Sequence, residues 1–163
     1  MLIGVVSDTH IPKKGKTLPR QLLEGIKDAE LIIHAGDVCR DYVLYQLGEI
    51  ARVEAVSGNN DDEYVLGITK NKKIICEEGV RIGIIHGHYG EGASSLERSR
   101  RAFRNETVDC IVFGHSHMPV NEVIGGVLFF NPGSPTDKRR QKYFSYGLLK
   151  AENGTVTGEI KYF

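Results

Sequence analysis

Long hydrophobic runs are missing from this sequence. Its 163 residues contain nothing near the ~20 apolar residues that a membrane-spanning helix needs, so no membrane segment is expected. The opening MLIGVVSDTH lacks the basic start of a secretion signal and turns acidic at once, which makes the cytoplasm the expected compartment. Excess charge of either sign is missing too: 21 Lys and Arg stand against 21 Asp and Glu. A general nucleic-acid binder usually carries a basic surplus, so nucleic acid is not the expected partner. Cysteine is scarce. Cys39, Cys76 and Cys110 are odd in number and far apart, so no disulfide framework is expected. Cys76 and Cys110 sit inside apolar runs and read as small buried hydrophobes. Repeats, low-complexity tracts and linkers are absent, which leaves one domain over 1–163, long enough to bury a core.

What is present is a series of short runs rich in Val and Ile: LIGVV (2–6), ELIIH (30–34), RVEAVS (52–57), KIICE (73–77), RIGIIHG (81–87), DCIVFG (109–114), VLFFN (127–131) and SYGLLKA (145–151). They are too short for isolated helices and their composition predicts strands. Helical spacing appears between the early ones. In 17–29, Leu18, Leu22, Leu23 and Ile26 share a face, with Thr17 as the expected N-cap and Pro19 in the first turn. Residues 42–50 and 92–106 predict two further helices. The alternation implies a largely parallel sheet in the first two-thirds. Gly125-Gly126, Glu152-Asn153-Gly154 and Glu78-Gly79 each separate strand-like runs and predict hairpins, so the chain reads as an α/β domain with an antiparallel C-terminal part.

In such a sheet, the loops leaving the carboxyl ends of parallel strands converge on one edge, where ligands bind. Those ends carry SDTH (Asp8, His10), HAGD (His34, Asp37), SGNND (Asn59, Asn60, Asp61), HGH (His86, His88) and GHSH (His115, His117). All six histidines lie in these segments. Taken alone, Asp8 and Asp37 read as turn or strand-end residues and 59–61 as an ordinary loop, while His115 and His117 alone read equally as metal ligands; five such tips in succession are not five accidents. Neutral imidazoles, carboxylates and an amide, with no thiolate, form a nitrogen and oxygen ligand set for borderline divalent metals. Seven strong candidates exceed what one ion uses beside water and point to two metals, the arrangement that clamps an in-line displacement at phosphorus. His34 reads as a core or supporting histidine, and Asp61 as a residue that orients Asn60 or caps a turn. Asn131–Ser134 (NPGS) reads as a structural turn. The lysines at 13, 14 and 16 and the basic residues at 138–140 read as solvated loop charges or an anion-attracting rim, and Arg98, Arg100, Arg101 and Arg104 as a solvated helix face or a polyanion or subunit contact.

Asp8-x-His10, Gly36-Asp37, Gly58-Asn59-Asn60-Asp61, His86-Gly87 and Gly114-His115-x-His117, in that order, resemble the five signature blocks of the calcineurin-like metallophosphoesterases. The short chain and the NPGS segment are most similar to the small phosphodiesterase branch, which also contains the retromer scaffold subunit. The resemblance implies a four-layer α/β sandwich of two mixed sheets flanked by helices. It implies a binuclear centre in which Asp8, His10 and His117 bind one divalent ion, Asn59, His86 and His115 bind the other, and Asp37 bridges them. Manganese leads as the expected metal, with Ni, Fe, Co or Zn also able to fit. The implied activity is phosphodiester hydrolysis by a metal-bridging hydroxide, on a small substrate. Asn60 stands where many members have a histidine, and an amide cannot deliver a proton. Phosphodiesters with acidic leaving groups are therefore expected to react better than alkyl monoesters, with Asn60 and His88 as the candidate catalytic contacts. A non-catalytic scaffold and a nuclease are the competing readings, and a homo-oligomer, dimer or tetramer, is compatible with all of them.

Overall fold

β-Branched side chains pack well on a pleated surface, and the runs that carry them form strands. The structure, a computed structural model, describes residues 1–163. The elements are β1 (Leu2–Val6), α1 (Arg20–Gly25), β2 (Leu31–His34), α2 (Tyr42–Gly48), β3 (Arg52–Ala55), α3 (Glu63–Ile68), β4 (Lys72–Glu77), β5 (Val80–Ile85), α4 (Ser95–Ala102), β6 (Cys110–Val112), β7 (Val120–Ile124), β8 (Val127–Asn131), β9 (Ser145–Glu152) and β10 (Thr155–Tyr162). They form two five-stranded sheets, ordered β10-β9-β1-β2-β3 and β4-β5-β6-β8-β7. In the first sheet β1, β2 and β3 are parallel, and in the second β5, β6 and β8 are. Antiparallel strands complete both, so each sheet is mixed.

The period-two alternation of the strands decides the layers. Ile3, Val5, Leu31 and Ile33 face Ile82, Ile84, Cys110, Val112 and Phe130 in one buried cluster between the sheets. The alternate residues, Val6 and Ile32, pack outward against Leu22 and Ile26 of the α1 segment and Val43 and Leu47 of α2. On the opposite outer face Ile85, Ile111 and Phe113 pack with Phe103 and Leu96 from α4 and its C-terminal cap. The result is helix, sheet, sheet, helix. All three expected hairpins form. Gly125 and Gly126 (φ 59° and 83°), Asn153 and Gly154 (49° and 77°), and Glu78 and Gly79 (51° and 79°) supply the paired positive φ that a type I′ turn requires.

Three local expectations are corrected. α1 starts at Arg20, with Pro19 as an extended N-cap (φ −61°, ψ 141°), so Thr17 caps nothing. Pro19 stays outside the helix because its ring pre-sets φ while its ψ continues the extended chain. Cys76 is exposed, because it lies on β4, the edge strand of its sheet, on the side facing away from the core. α3 is unforeseen. It is six residues long, contains a glycine, and starts from Asp62, whose carboxylate accepts from the Val65 N–H at 2.9 Å.

Candidate metal centre

The carboxyl ends of all six parallel strands meet at one edge of the sandwich, and the polar tips leave from there. Their backbone is unusual. Asp8, His10, Asp37, Cys39, His115 and His117 all have positive φ, between 47° and 70°. Residues with a Cβ seldom adopt this left-handed region, at a cost of order 1–3 kcal/mol each, and such strain gathers at functional sites. Here it turns residues two apart in sequence toward one point.

That point is buried. Asp8, His10, Asp37, His86 and His117 are all out of solvent. Asp8 Oδ1 lies 3.7 Å from His10 Nε2, 3.8 Å from His86 Nε2 and 3.2 Å from His117 Nε2. Asp37 Oδ2 lies 3.5 Å from His10 Nε2 and 3.3 Å from His86 Nε2. Asp8, His10 and His117 form one group able to hold an ion, and Asp8, Asp37 and His86 a second.

The hydrogen bonds show which atoms are free. His86 Nδ1 donates to the Ala35 carbonyl (2.7 Å) and His117 Nδ1 to the Asp137 carbonyl (2.5 Å). A carbonyl only accepts, so both rings carry hydrogen on Nδ1 and present Nε2 to the site. Asp8 Oδ2 accepts from Ser7 Oγ (2.6 Å) and the His115 N–H (2.9 Å), while Asp8 Oδ1 and His86 Nε2 have no hydrogen-bond partner at all. His10 Nε2 and His117 Nε2 face each other at 3.2 Å. Asp8 Oδ1 and His86 Nε2 are thus buried without a partner beside two more imidazole nitrogens and the Asp37 carboxylate, and a buried polar group left so is costly. A cation satisfies them all at once, so the residues fit divalent ions.

The electrostatics agree. Burial opposes charge on Asp8, but His10, His117 and His86 outweigh it and hold its carboxyl well below the ordinary range. Asp37 is likewise held low, with His86 and Asn60 overcoming burial. Burial also opposes a charged His86, yet the Asp37 and Asp8 carboxylates raise it to about 9. The cluster therefore attracts positive charge. Burial, then the neighbouring His86, pushes His115 down to about 4, which keeps it a neutral base at pH 7. Cys39 Sγ is 3.8 Å from His10 Nδ1, but burial and Asp61 push its thiol up to about 11, so the ligand set remains nitrogen and oxygen.

A model of the calcineurin-like phosphoesterase superfamily domain matches residues 1–154. The chain belongs to the calcineurin-like phosphoesterase superfamily. It is 37% identical to a probable metallophosphoesterase of Methanothermobacter thermautotrophicus over 140 residues, 85% of this chain and 80% of that one. It is 30% identical to a phosphodiesterase of Methanocaldococcus jannaschii, over 82% of this chain and 83% of that one. Vps29 of Entamoeba histolytica, solved in complex with Zn²⁺, superposes with a TM-score of 0.76 at 24% identity over 99% of both chains, a likeness of fold. The protein is a metal-dependent phosphoesterase, a hydrolase of ester bonds, with the two mixed sheets of its family. No helix is long and apolar enough to cross a membrane.

The other predicted residues of this phosphoesterase surround the cluster. Asn60 donates twice to Asp37, from its backbone N–H to Oδ1 and from Nδ2 to Oδ2, both at 2.8 Å. Asn59 is exposed beside it. Asp61 accepts from the Gly58 N–H (2.7 Å) and the Cys39 N–H (2.6 Å), so it ties the third loop to the second, and Asp62 is the helix cap. The His115 ring sits edge-on to His86, centroids 5.2 Å apart, with Nδ1 buried and unpartnered. His88 is half-buried, 5.3 Å from His86 and 6.2 Å from His115 between ring centroids. A small cleft of about 280 Å³ lined by Lys13, Cys39, Arg40 and Asn60 adjoins these groups. The largest cavity, about 500 Å³ and mostly apolar, holds none of the histidines and neither Asp8 nor Asp37, so size does not locate the chemistry.

Two features escape sequence reasoning. Carbonyl acceptors such as Asp137 and Ala35 carry no residue-type signal. The NPGS turn also does more than turn the chain. Asn131 Nδ2 donates to the Gly114 carbonyl (3.0 Å), Ser134 Oγ donates to the Asp8 carbonyl (2.8 Å), and Thr136 Oγ1 donates to the Thr9 carbonyl (2.5 Å). One segment thus clamps the strained loops of both sheets. Asn131→Leu is expected to lower stability by about 1–3 kcal/mol in urea unfolding, because it strands the buried Gly133 N–H, which donates to Asn131 Oδ1 (2.9 Å), and removes a donor from the Gly114 carbonyl; an unchanged midpoint would contradict the clamp.

His34 is buried, with Nε2 3.2 Å from Thr9 Oγ1. Burial pushes it from 6.5 down to about 3. Its pKa is therefore lower in the folded than in the unfolded chain. Between those values the unfolded chain binds a proton that the native chain does not, so stability is lost as pH falls from 6.5 toward 3. His34→Gln removes that contribution, which amounts to at most about 1.4 kcal/mol per pH unit. Urea titrations of both proteins from pH 6 to pH 4 are expected to show a shallower decline in the variant, and parallel curves would refute the assignment.

Proposed function

We propose that this phosphoesterase is a phosphodiesterase, that residues 1–163 act as one catalytic domain, and that two divalent ions sit in the buried cluster. Asp8, His10 and His117 hold the first, Asn59, His86 and His115 the second, and Asp37 spans both. The supporting observation is the convergence of unpartnered Asp8 Oδ1 and His86 Nε2 with two further imidazole nitrogens and the Asp37 carboxylate in one buried place. When bound, the ions would supply positive charge against the phosphoryl oxygens and would lower the pKa of water so that hydroxide could serve as the nucleophile at neutral pH. Manganese suits the mixed His and Asp set, as do Ni, Fe, Co and Zn.

The chain's own residues orient and bind. The Ala35 and Asp137 carbonyls fix which nitrogen His86 and His117 present, and Ser7 and the His115 N–H pin one Asp8 oxygen so that the other faces the site. Asn60 holds both oxygens of Asp37 and keeps one amide hydrogen for a phosphoryl oxygen. His88 stands at the rim as the leaving-group contact. Arg139, whose Nη1 donates to the His115 carbonyl (3.3 Å), and Lys13 add positive charge there.

Purified protein loaded with Mn²⁺ is expected to hydrolyse bis(para-nitrophenyl) phosphate at least about tenfold faster than an alkyl monoester, because the Asn60 amide beside Asp37 cannot deliver a proton to a poor leaving group. Chelation is expected to abolish the activity and Mn²⁺ to restore it. Preference for the alkyl monoester, or full activity after chelation, would sink the reading.

A further inference from the structure

The metal centre leaves the arginines of α4 without a role. Arg98 and Arg101 lie three residues apart on α4, and Arg104 follows one turn on, its N–H donating to the Arg101 carbonyl (3.3 Å). Such spacing lines side chains along one side of a helix. With Lys72 and Tyr89 they wall a cleft of about 350 Å³. The two carboxylates in the cleft are already paired: Glu91 with Arg101 at 3.2 Å and Glu106 with Lys72 at 3.4 Å. Arg98 and Arg104 have no carboxylate partner. Arg98 is half-buried and donates only its Nε, to the Gly92 carbonyl (3.1 Å), which holds the guanidinium in place and leaves its Nη hydrogens free.

The cleft adjoins the catalytic edge. A Cβ at Gly87 would lie 2.9 Å from Ser99 Oγ and 3.2 Å from the Ser95 carbonyl, so α4 packs directly against the segment between His86 and His88. Tyr89, in the cleft wall, packs edge-on against His88 at 4.9 Å, and His88 is one ring from His115. The row from Arg98 to Arg104 leads away from the metal centre over roughly 9 Å.

We propose that this cleft binds a second phosphate on the substrate, carried by the same molecule as the scissile diester. Planar guanidinium forks match phosphate oxygens, and two arginines without carboxylates, one of them anchored, present that geometry at the right edge of the fold. The inference rests on the phosphodiesterase reading and narrows its substrate class to diesters that bear a further phosphate.

The test uses a matched pair of substrates: the para-nitrophenyl ester of a thymidine monophosphate, with and without a second phosphate on the remaining sugar hydroxyl. For the Mn²⁺-loaded protein the second phosphate is expected to raise kcat/KM about tenfold, mostly through KM. In the double variant Arg98→Gln, Arg104→Gln, with its fold checked by circular dichroism, the ratio is expected to fall to about one. Absence of a preference in the native protein, or its persistence in the variant, would overturn the proposal. If the cleft holds free phosphate instead, inorganic phosphate alters hydrolysis of the singly phosphorylated ester in the native protein only and the paired preference is missing, which also overturns it. Should neither ester be cleaved, the phosphodiesterase reading fails by itself, and calorimetry of thymidine bisphosphate against monophosphate still decides the cleft: an affinity ratio that the variant loses supports it, and one that the variant keeps overturns it.

Discussion

Asp37→Ala is expected to lower turnover of an aryl phosphodiester by on the order of 10³-fold, the scale seen when a group that stabilises transition-state charge is removed. The physical reason is position. Asp37 Oδ2 is the oxygen that lies within 3.5 Å of His10 and 3.3 Å of His86, which belong to different ions in the proposed centre. Both its oxygens are held by Asn60, so no rotation of a neighbour can replace it. Its loss removes negative charge from the one place where two cations would repel each other most. Metal content measured by mass spectrometry is expected to fall below two ions per chain, in a variant whose circular dichroism matches the native protein. A variant that keeps two ions and turns over within tenfold of the native rate would show that Asp37 does not span the site.

Gly58→Ala is the second large effect, although glycine offers no chemistry. A Cβ at Gly58 would overlap both Oδ1 and the backbone nitrogen of Asp37, with Cγ at 2.8 Å. A clash with a backbone atom is not relieved by a rotamer change, and Gly58 cannot retreat easily because its N–H donates to Asp61 Oδ2 at 2.7 Å. Overpacking of this kind costs about 1–3 kcal/mol, and a displacement near 1 Å at a catalytic group can cost on the order of 10²-fold in rate. Gly67→Ala is the matched control. It lies in α3 with nothing within 4 Å of its Cβ position, and alanine there is expected to stabilise by about 0.5–1 kcal/mol. Urea unfolding and initial rates on both variants decide the matter. Equal behaviour of the two would mean that the close approach of Gly58 to Asp37 is not what the site requires.

The legibility of the fold follows from the range of the forces involved. Strands such as Leu2–Val6 and Val127–Asn131 could be read because β-branched and aromatic runs have few other uses, and the hairpins because paired positive φ favours Gly and Asn, which fill every such turn position but Glu78. α3 could not be read, since six residues with an internal glycine form a helix only under tertiary support, here the burial of Val65 beneath the first sheet. The exposure of Cys76 is not legible, because an apolar run does not reveal which strand will be an edge. The candidate site was legible in its residue types, and the cleft beside α4 only as a cluster of arginines.

From its sequence alone this chain determined the strands, the hairpins, and the set of histidines, carboxylates and amides at the strand ends, because those depend on neighbours a few residues apart. Tertiary structure decided the rest. It chose which imidazole nitrogen is presented, placed the His115 N–H on Asp8 across 107 residues and Ser134 on the Asp8 carbonyl across 126, and held Asp8, His10, Asp37, Cys39, His115 and His117 at positive φ. Those outcomes come from two sheets packing face to face, an interaction that no local stretch encodes and that alone repays the strain at their joined edge.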